Sequence, residues 1–493
     1  MMRSGKEHLE SLKDGRTIYI GSERVTDVAA HPAFKNAAQT LAEVYDLKRA
    51  SEHENFATFV GQDGVRHSSY YLQPRSQDDL RRRTKTHQLI ADATYGMWGR
   101  SVDHVSSFIS AMAMRPDIFA RNGAQYGDNI VLFYERMRDE DAYATYAITP
   151  PQGSRDPEFY QRQNKPSPTL RVVEEKDDGI LLSGMKMLAT GGVFSNYVFV
   201  GNILPLAPSQ VKESVTCMVP VGAPGVELWT RKPLEPNARS QFDAPLTWRF
   251  DETDSMLMCD RVKIPWEYVF TMDDPELSRS IYIETPAHSF GNHQSNVRYL
   301  SKMRLVLGLA SRITQASGAD KVPAVRETLG RLAALEAGLS GMVHGQIEAY
   351  EDWDNGFVGY NRRMMYAALA WCTENYSPIV DCLRELCGGG VFQMPADISV
   401  TDNPELAQRF ETYFGTPMNT AADRMKLFKL AWDVIGSEFA GRHQSYEKFY
   451  AGASFVVKNY SYLHAPWASF NKTVDDLLGS YDAPDAAMLS AAE

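Results

Sequence analysis

Near residue 143 the chain changes its hydrophobic period, and near residue 275 it changes back. Before the first switch, Leu80, Leu89, Ile90 and Tyr95 stand among many charges, which suits an amphipathic helix, and 102–114 is a second apolar-rich segment. Between the switches, β-branched and aromatic runs begin at Thr169, Gly179, Asn196, Ser214, Val226 and Met256, separated by Gly, Pro and Asp turns. After the second switch, Val325, Leu329, Leu332, Leu335, Leu339 and Met342 recur at three- and four-residue steps and form one apolar stripe. Segment 303–313 is apolar on most sides and is expected to be buried; 361–387 and 420–450 read as further helices. This order predicts a mainly α chain with a central β domain. The expected blocks are a helical domain at 1–142, a small antiparallel barrel or sandwich at 143–275, and a helical bundle at 276–493. The first and third blocks should pack together around the middle one, and the tail after about 480 should fray.

Composition narrows the function. A chain of 493 residues with 44% hydrophobic content has ample material for a large core. A net charge of −11 disfavours nucleic acid and anionic membranes as partners. No run approaches the ~18 to 20 apolar residues of a membrane span, and the polar N-terminus lacks the apolar core of a signal peptide. A cytoplasmic enzyme is expected. Cys217, Cys259, Cys372, Cys382 and Cys387 are scattered and read as free thiols. Cys382 and Cys387 have no further Cys or His nearby to complete a zinc set, so no metal is expected.

No GxGxxG follows a strand and no Walker sequence occurs, which argues against a Rossmann nucleotide site and P-loop chemistry. Gly388-Gly389-Gly390 follows a helix; it is either a cap and turn or a close approach of backbone to a cofactor. Ala189-Thr190-Gly191-Gly192 lies between two strands. It is either a plain turn or a hydroxyl and N–H groups offered to a planar polar ring. The stretch 122–155 begins at a turn signal, Tyr126-Gly127-Asp128-Asn129, becomes β-rich from Tyr143, and ends at Pro150-Pro151-Gln152 with Arg155 just beyond. A polar-tipped strand end of this kind suits a flat ligand. Arg100 and His104 share one face if a helix begins by Arg100. A guanidinium can hold a phenolate oxygen, and an imidazole can give it a proton or take one. The plainer alternative is surface capping, with Ser101 as N-cap. In HSFGNHQSN, His288 and His293 flank Phe290, with Asn292 and Gln294 beside the second histidine. This is either a general base beside an aromatic substrate or a polar helix start.

Five segments occur in order: GRSVDH at 99–104, YGDNIVLFYERMRDED at 126–141, ATGGVFSN at 189–196, CGGGVFQMP at 387–395, and DRMKLFKLAWDVIGSEFAGRHQSYEKFYAG at 423–452. In these the chain resembles, over nearly its whole length, the two-component flavin-dependent aromatic hydroxylases typified by the oxygenase component of 4-hydroxyphenylacetate 3-monooxygenase. The resemblance implies an acyl-CoA dehydrogenase-like fold and a homotetramer. It implies reduced FAD from a separate NAD(P)H-flavin reductase, O2 as co-substrate, and hydroxylation of a phenolic aromatic through a C4a-hydroperoxyflavin. It further implies that Gln152, Arg155 and Thr190 line the flavin, and that Arg100 faces both flavin and substrate. His293 falls near a histidine used as base or flavin neighbour in the chlorophenol branch, and Phe439 and Arg442 fall in a C-terminal segment that closes the site. Met97, Trp98, Phe194, Phe290 and Phe439 are candidate apolar walls.

The chain departs from the 4-hydroxyphenylacetate enzymes at three positions. Val102 replaces a proline, His104 a tyrosine, and Tyr146 a histidine. Arg100, His104 and Tyr146 thus keep the same three groups with two positions exchanged: Arg100 for the phenolate, His104 or Tyr146 for the proton. The substrate stays open among 4-hydroxyphenylacetate, simple or halogenated phenols, tyrosine-like compounds and an indole. The rival readings are a true acyl-CoA dehydrogenase, which the motifs fit poorly, a non-catalytic helical scaffold, and a 4-hydroxybutyryl-CoA dehydratase-like lyase, whose iron–sulfur cluster takes three cysteines and one histidine. His293 could serve, but no cysteine precedes Cys217.

Overall fold

A computed structural model describes residues 2–481, so the tail expected to fray lies largely outside the described residues. The N-terminal block is built on the helices Lys35–Leu47, Gln77–Ala93, His104–Met112 and Ala124–Glu140. Gln77–Ala93 starts where Ser76 accepts from the Asp79 N–H, with Asp78 and Asp79 in the first turn, where the helix dipole favours negative charge. Ala124–Glu140 runs straight through the turn expected at Tyr126–Asn129. A Cβ on Gly127 would lie 2.9 Å from the Pro116 carbonyl and 3.1 Å from Ala120 Cβ, so this glycine marks a close approach of backbone, not a reversal.

The middle of the chain forms two sheets. The first has the order Glu23–Val25, Thr17–Ile20, Val226–Thr230, Ser255–Ile264, Gly179–Lys186, Arg171–Lys176; the second is Val269–Thr271, Thr216–Pro220, Tyr197–Val200, Ala144–Ala147. All six strands read from the sequence are present. Most pairs are antiparallel as expected, with two exceptions. Thr17–Ile20 runs parallel to Val226–Thr230, and Ala144–Ala147 runs parallel to Tyr197–Val200. The first exception brings two strands from the N-terminal block into the middle sheet. The second carries Tyr146 along the edge of the smaller sheet toward the helices.

The C-terminal block contains Ala287–Ala316, Pro323–Glu348, Arg362–Cys387, Ala421–Ile435, Glu438–Phe449, Ser454–Leu463 and Trp467–Leu478. The region read as one helix at 420–450 is broken at Gly436-Ser437, where Ser437 caps the second piece. The central helix Ala287–Ala316 packs on Gln77–Ala93, His104–Met112, Pro323–Glu348 and Arg362–Cys387. Every residue from Ala287 to Met303 is buried, whereas Arg304 and Gly308 are exposed and Leu305 and Leu307 are half-buried. The expectation for 303–313 holds on one face only, where Met303, Val306, Leu309, Ala310 and Ile313 are buried. The polar half of this helix is the part the core encloses on every side. Buried polar side chains must find partners, and theirs assemble the site.

Candidate active site

The helix expected by Arg100 begins at His104, with Asp103 as N-cap and no side-chain capping bond. Ser101 is not the cap; its hydroxyl is buried without a partner among the described residues. Arg100 therefore sits in the turn before the helix, 5% exposed. It still reaches His104: Arg100 Nη1 donates to His104 Nε2 at 2.9 Å, and Nη2 donates to the Tyr450 carbonyl at 2.7 Å. The guanidinium lies 4.8 Å from the Tyr146 ring centroid, a cation–π distance, and 5.7 Å from those of Tyr446 and Tyr450. The His104 and Tyr146 rings are 5.5 Å apart, with Phe108 against both. Arg100, His104 and Tyr146 thus converge, as the exchanged-triad reading expected. The Tyr146 hydroxyl has no hydrogen-bond partner among the described residues, and burial raises its pKa, partly offset by Arg100. Burial and the Arg100 charge hold His104 well below its ordinary value. In this geometry it is a neutral acceptor.

The backbone of the Arg100 turn is clamped. Glu252 Oε2 accepts the N–H groups of both Gly99 and Arg100, each at 2.9 Å, and Tyr143 Oη donates to the Arg100 carbonyl. Glu252 Oε1 accepts from Arg442 Nη1 at 2.7 Å. Asp254 accepts from Arg442, from Arg231 Nε at 2.9 Å and from Thr190 Oγ1 at 2.7 Å. Burial pushes the Asp254 carboxyl up, but Arg442 and Arg231 overcome it and hold it far below the usual carboxylate range. Two carboxylates therefore tie together Thr190, Arg442 and the Arg100 turn. Thr190 is linked to the Tyr146 strand as well, since Thr145 Oγ1 donates to its carbonyl. Gly191, at φ +74°, leaves no room for a side chain: a Cβ would lie 2.3 Å from Tyr143 Oη. Phe439 is buried against His443, ring centroids 4.2 Å apart. Met97, Trp98, Phe194 and Phe290 are buried too.

Two expected site residues, His293 and Gln152, stand apart. His293 is buried and engaged: Nε2 contacts Thr84 Oγ1 at 2.8 Å, Nδ1 contacts Gln346 Oε1 at 2.7 Å, and its ring stacks on Tyr360 at 3.6 Å. Among the described residues it makes no hydrogen bond or ring contact with Arg100 or His104, and meets their network edge-on through His87. Gln152 is exposed in the short 3-10 turn Gln152–Arg155, and the side chain of Arg155 lies outside the described residues. Residues that sequence reasoning passed over are Gln294, which bonds His104 Nδ1 at 3.0 Å, and Glu252, Asp254, Tyr446 and Tyr450. Gln294 was in view within HSFGNHQSN; nothing in the sequence marked Glu252.

Tyr446 covers the Arg100 turn so closely that a Cβ on Gly99 would fall 2.0 Å from its hydroxyl. Gly99→Ala should displace that ring, cost about 1–3 kcal/mol by overpacking, and lower turnover; a thermal melt and a turnover assay equal to wild type would contradict the contact. Open grooves of about 530 and 450 Å³ run elsewhere, between Arg312 and the helix Ala421–Ile435, and include none of Arg100, His104 or Tyr146. The convergent groups are in the closed junction of the three blocks. The five cysteines are buried free thiols. Asp63, His67 and Asp139 are the one group with metal-ligand spacing among the described residues, and Arg138 pairs with both carboxylates.

A helical block, a two-sheet middle and a helical bundle, meeting around a buried arginine–histidine pair and a half-buried tyrosine, define an enzyme of the acyl-CoA dehydrogenase-like architecture. Family models described as 4-hydroxyphenylacetate 3-hydroxylase, N terminal and C terminal, match residues 4–271 and 278–479. The chain belongs to the 4-hydroxyphenylacetate 3-hydroxylase family. It is 30% identical to the oxygenase component of 4-nitrophenol 2-monooxygenase from Rhodococcus sp, over 92% of this chain and 87% of that one. It is also 30% identical to the 4-hydroxyphenylacetate 3-monooxygenase oxygenase component of Pseudomonas aeruginosa, over 97% and 93%. A crystal structure of such an oxygenase component complexed with FAD and 4-hydroxyphenylacetate superposes with a TM-score of 0.90 at 27% identity, covering 97% of this chain and 98% of that one.

Proposed function

We propose that this chain is the oxygenase component of a two-component monooxygenase that uses reduced FAD and O2 to hydroxylate a phenolic aromatic. The observation that carries the reading is the convergence of Arg100, His104 and Tyr146 in a closed, mostly apolar junction. The residues fit a planar polar cofactor. Around Arg100 the hydroxyls of Ser101, Tyr446 and Tyr450 are buried with no partner among the described residues, and unpaired buried polar groups are costly unless a ligand completes them. Thr190 and Gly191 border the same junction and would hold the flavin together with Gln152 and Arg155, with Phe439 and Arg442 closing it. When bound, reduced FAD supplies the electrons that activate O2.

The chain's own groups handle the phenol. Arg100 faces its oxygen and favours negative charge there, which raises electron density at the ortho and para carbons. His104 Nε2 or Tyr146 Oη exchanges the hydroxyl proton. Tyr446 and the buried aromatic walls exclude water. His104→Phe removes the acceptor nitrogen and should raise hydrogen peroxide released per O2 consumed; product formed in full proportion to O2 would count against His104. The substrate is a phenol such as 4-hydroxyphenylacetate, with halophenols and indole as the alternatives. The lyase reading is weaker, because its cluster takes three cysteines and one histidine and no cysteine precedes Cys217.

The reading includes a separate NAD(P)H-flavin reductase, a cytoplasmic location and a homotetramer. Among the described residues no helix is long and apolar enough to cross a membrane. Trp467–Leu478 has no buried residue and exposes Phe470, Val474, Leu477 and Leu478 on one side, which suits burial against another copy. The deciding experiment mixes the protein anaerobically with reduced FAD, adds O2 and follows flavin absorbance with a panel of phenols. A phase slower than reoxidation in buffer, changed by one phenol, supports the reading; reoxidation as in buffer would return weight to a lyase or a non-catalytic scaffold.

A further inference from the structure

The bond from Arg100 determines which imidazole nitrogen of His104 carries hydrogen. A guanidinium has no acceptor, so Nε2 accepts and Nδ1 bears the proton, which goes to Gln294 Oε1 at 3.0 Å. Gln294 Nε2 donates to Asp103 Oδ1 at 3.1 Å, and Asp103 Oδ2 pairs with His87 Nδ1 at 2.7 Å. All five side chains are buried. The other groups that face His104 are Tyr146 from the strand, Phe108 from its own helix, and the Arg298 charge from the central helix.

An imidazole that takes a full proton during catalysis is usually backed by a carboxylate directly on Nδ1, which stabilises the cation. Here a neutral amide stands at that link, and the carboxylate is one residue further away. We propose that Gln294 is a positioning residue for hydroxylation: it fixes His104 in the Nδ1–H tautomer, so that the Nε2 lone pair meets the substrate hydroxyl beside Arg100, and it keeps His104 an uncharged acceptor. The inference rests on the reading that His104 serves the phenol oxygen. On binding, the hydroxyl replaces Arg100 Nη1 at Nε2. Its hydrogen is shared with Nε2 and its oxygen faces Arg100; the O–H bond is retained, and the hydroxyl leaves with its own proton on the product.

The test moves the carboxylate one link nearer without changing net charge. In Asp103→Asn/Gln294→Glu, the new carboxylate accepts His104 Nδ1–H and the new amide N–H, while the amide oxygen still accepts from His87. His104 should then protonate at higher pH and lose its lone pair. The acid limb of the kcat/KM–pH profile should move up by about one unit or more. An active double variant with an unmoved limb overturns the proposal. Gln294→Leu guards against a double variant that fails to fold. It should lower kcat by ~10-fold or more, and the same change should cost nothing further in a His104→Phe background. An equal loss in that background means Gln294 does not act through His104, and overturns the proposal. The two failures separate: His104→Phe with normal coupling and turnover removes the role of His104 itself, whereas a damaged His104→Phe with an unmoved acid limb removes only that of Gln294.

Discussion

Arg100→Ala should lower hydroxylation by ~10²- to 10³-fold, the usual loss when a preorganised charge opposite a developing one is removed, and should leave the fold standing. Among the described residues the side chain bonds two acceptors, His104 Nε2 and the Tyr450 carbonyl. Its loss strands no cation and no carboxylate. The turn itself stays fixed through backbone bonds to Glu252 and Tyr143, which the substitution does not touch. Arg100→Lys should fall in between, because one ammonium cannot present the planar fork that reaches two acceptors and stacks on Tyr146. Turnover with reductase and phenol, read beside a thermal melt, checks both halves. Turnover within twofold of wild type would remove Arg100 from the mechanism, and a collapsed melt would make the loss structural.

Glu447→Gln should cost far more stability than any other single change near the site. Glu447 accepts from both nitrogens of the Arg298 fork, at 2.5 and 2.8 Å, and from Lys302 at 2.5 Å, with all three side chains essentially inaccessible. Removing the anion leaves two buried cations, and breaking such a pair from one side typically costs about 3–5 kcal/mol. The same cluster sets an acid response. Burial pushes the Glu447 carboxyl up, but Arg298 and Lys302 prevail and hold it down to about 2, against an ordinary value of 4.5. A depressed carboxyl gives stability that is complete above its unfolded value and is lost as pH falls through the folded one. Wild type should therefore lose this contribution between about pH 4.5 and 2, and the variant should lack that part of its acid sensitivity. Melting midpoints for the two proteins that coincide at neutral pH would show the triad to be idle.

The order of the three blocks was legible because hydrophobic period is a property of long stretches. The strands at 17–25 were not, since the two are only four and three residues long and Thr17–Ile20 joins the sheet through a partner about two hundred positions away, Val226–Thr230. The core helix misled for a different reason. Its apolar half looked like the buried one, yet the polar run His288–Ser301 is what the core encloses. Local pattern and global burial conflict where a site must be built. The sequence also directed attention to His293, while the neighbour that touches His104 is Gln294. Successive helix positions point about 100° apart, so only the packed structure could say which of the two looks toward Arg100. The resemblance identified Arg100, and the structure supplied the carboxylates that hold it.

One clasp has a consequence in time. Arg100 is held by Glu252, 152 residues later in the chain, and by the carbonyl of Tyr450, 350 residues later. A ribosome adding ~5–20 residues per second needs on the order of tens of seconds to travel from the first to the last. For the first part of that interval the nascent turn lacks the carboxylate that clamps its backbone, and for all of it the carbonyl of Tyr450 that its guanidinium meets. The arginine turn is thus the first part of its cluster to be made and among the later parts to be completed, and a ribosome that stops before Tyr450 releases a chain in which it stays open.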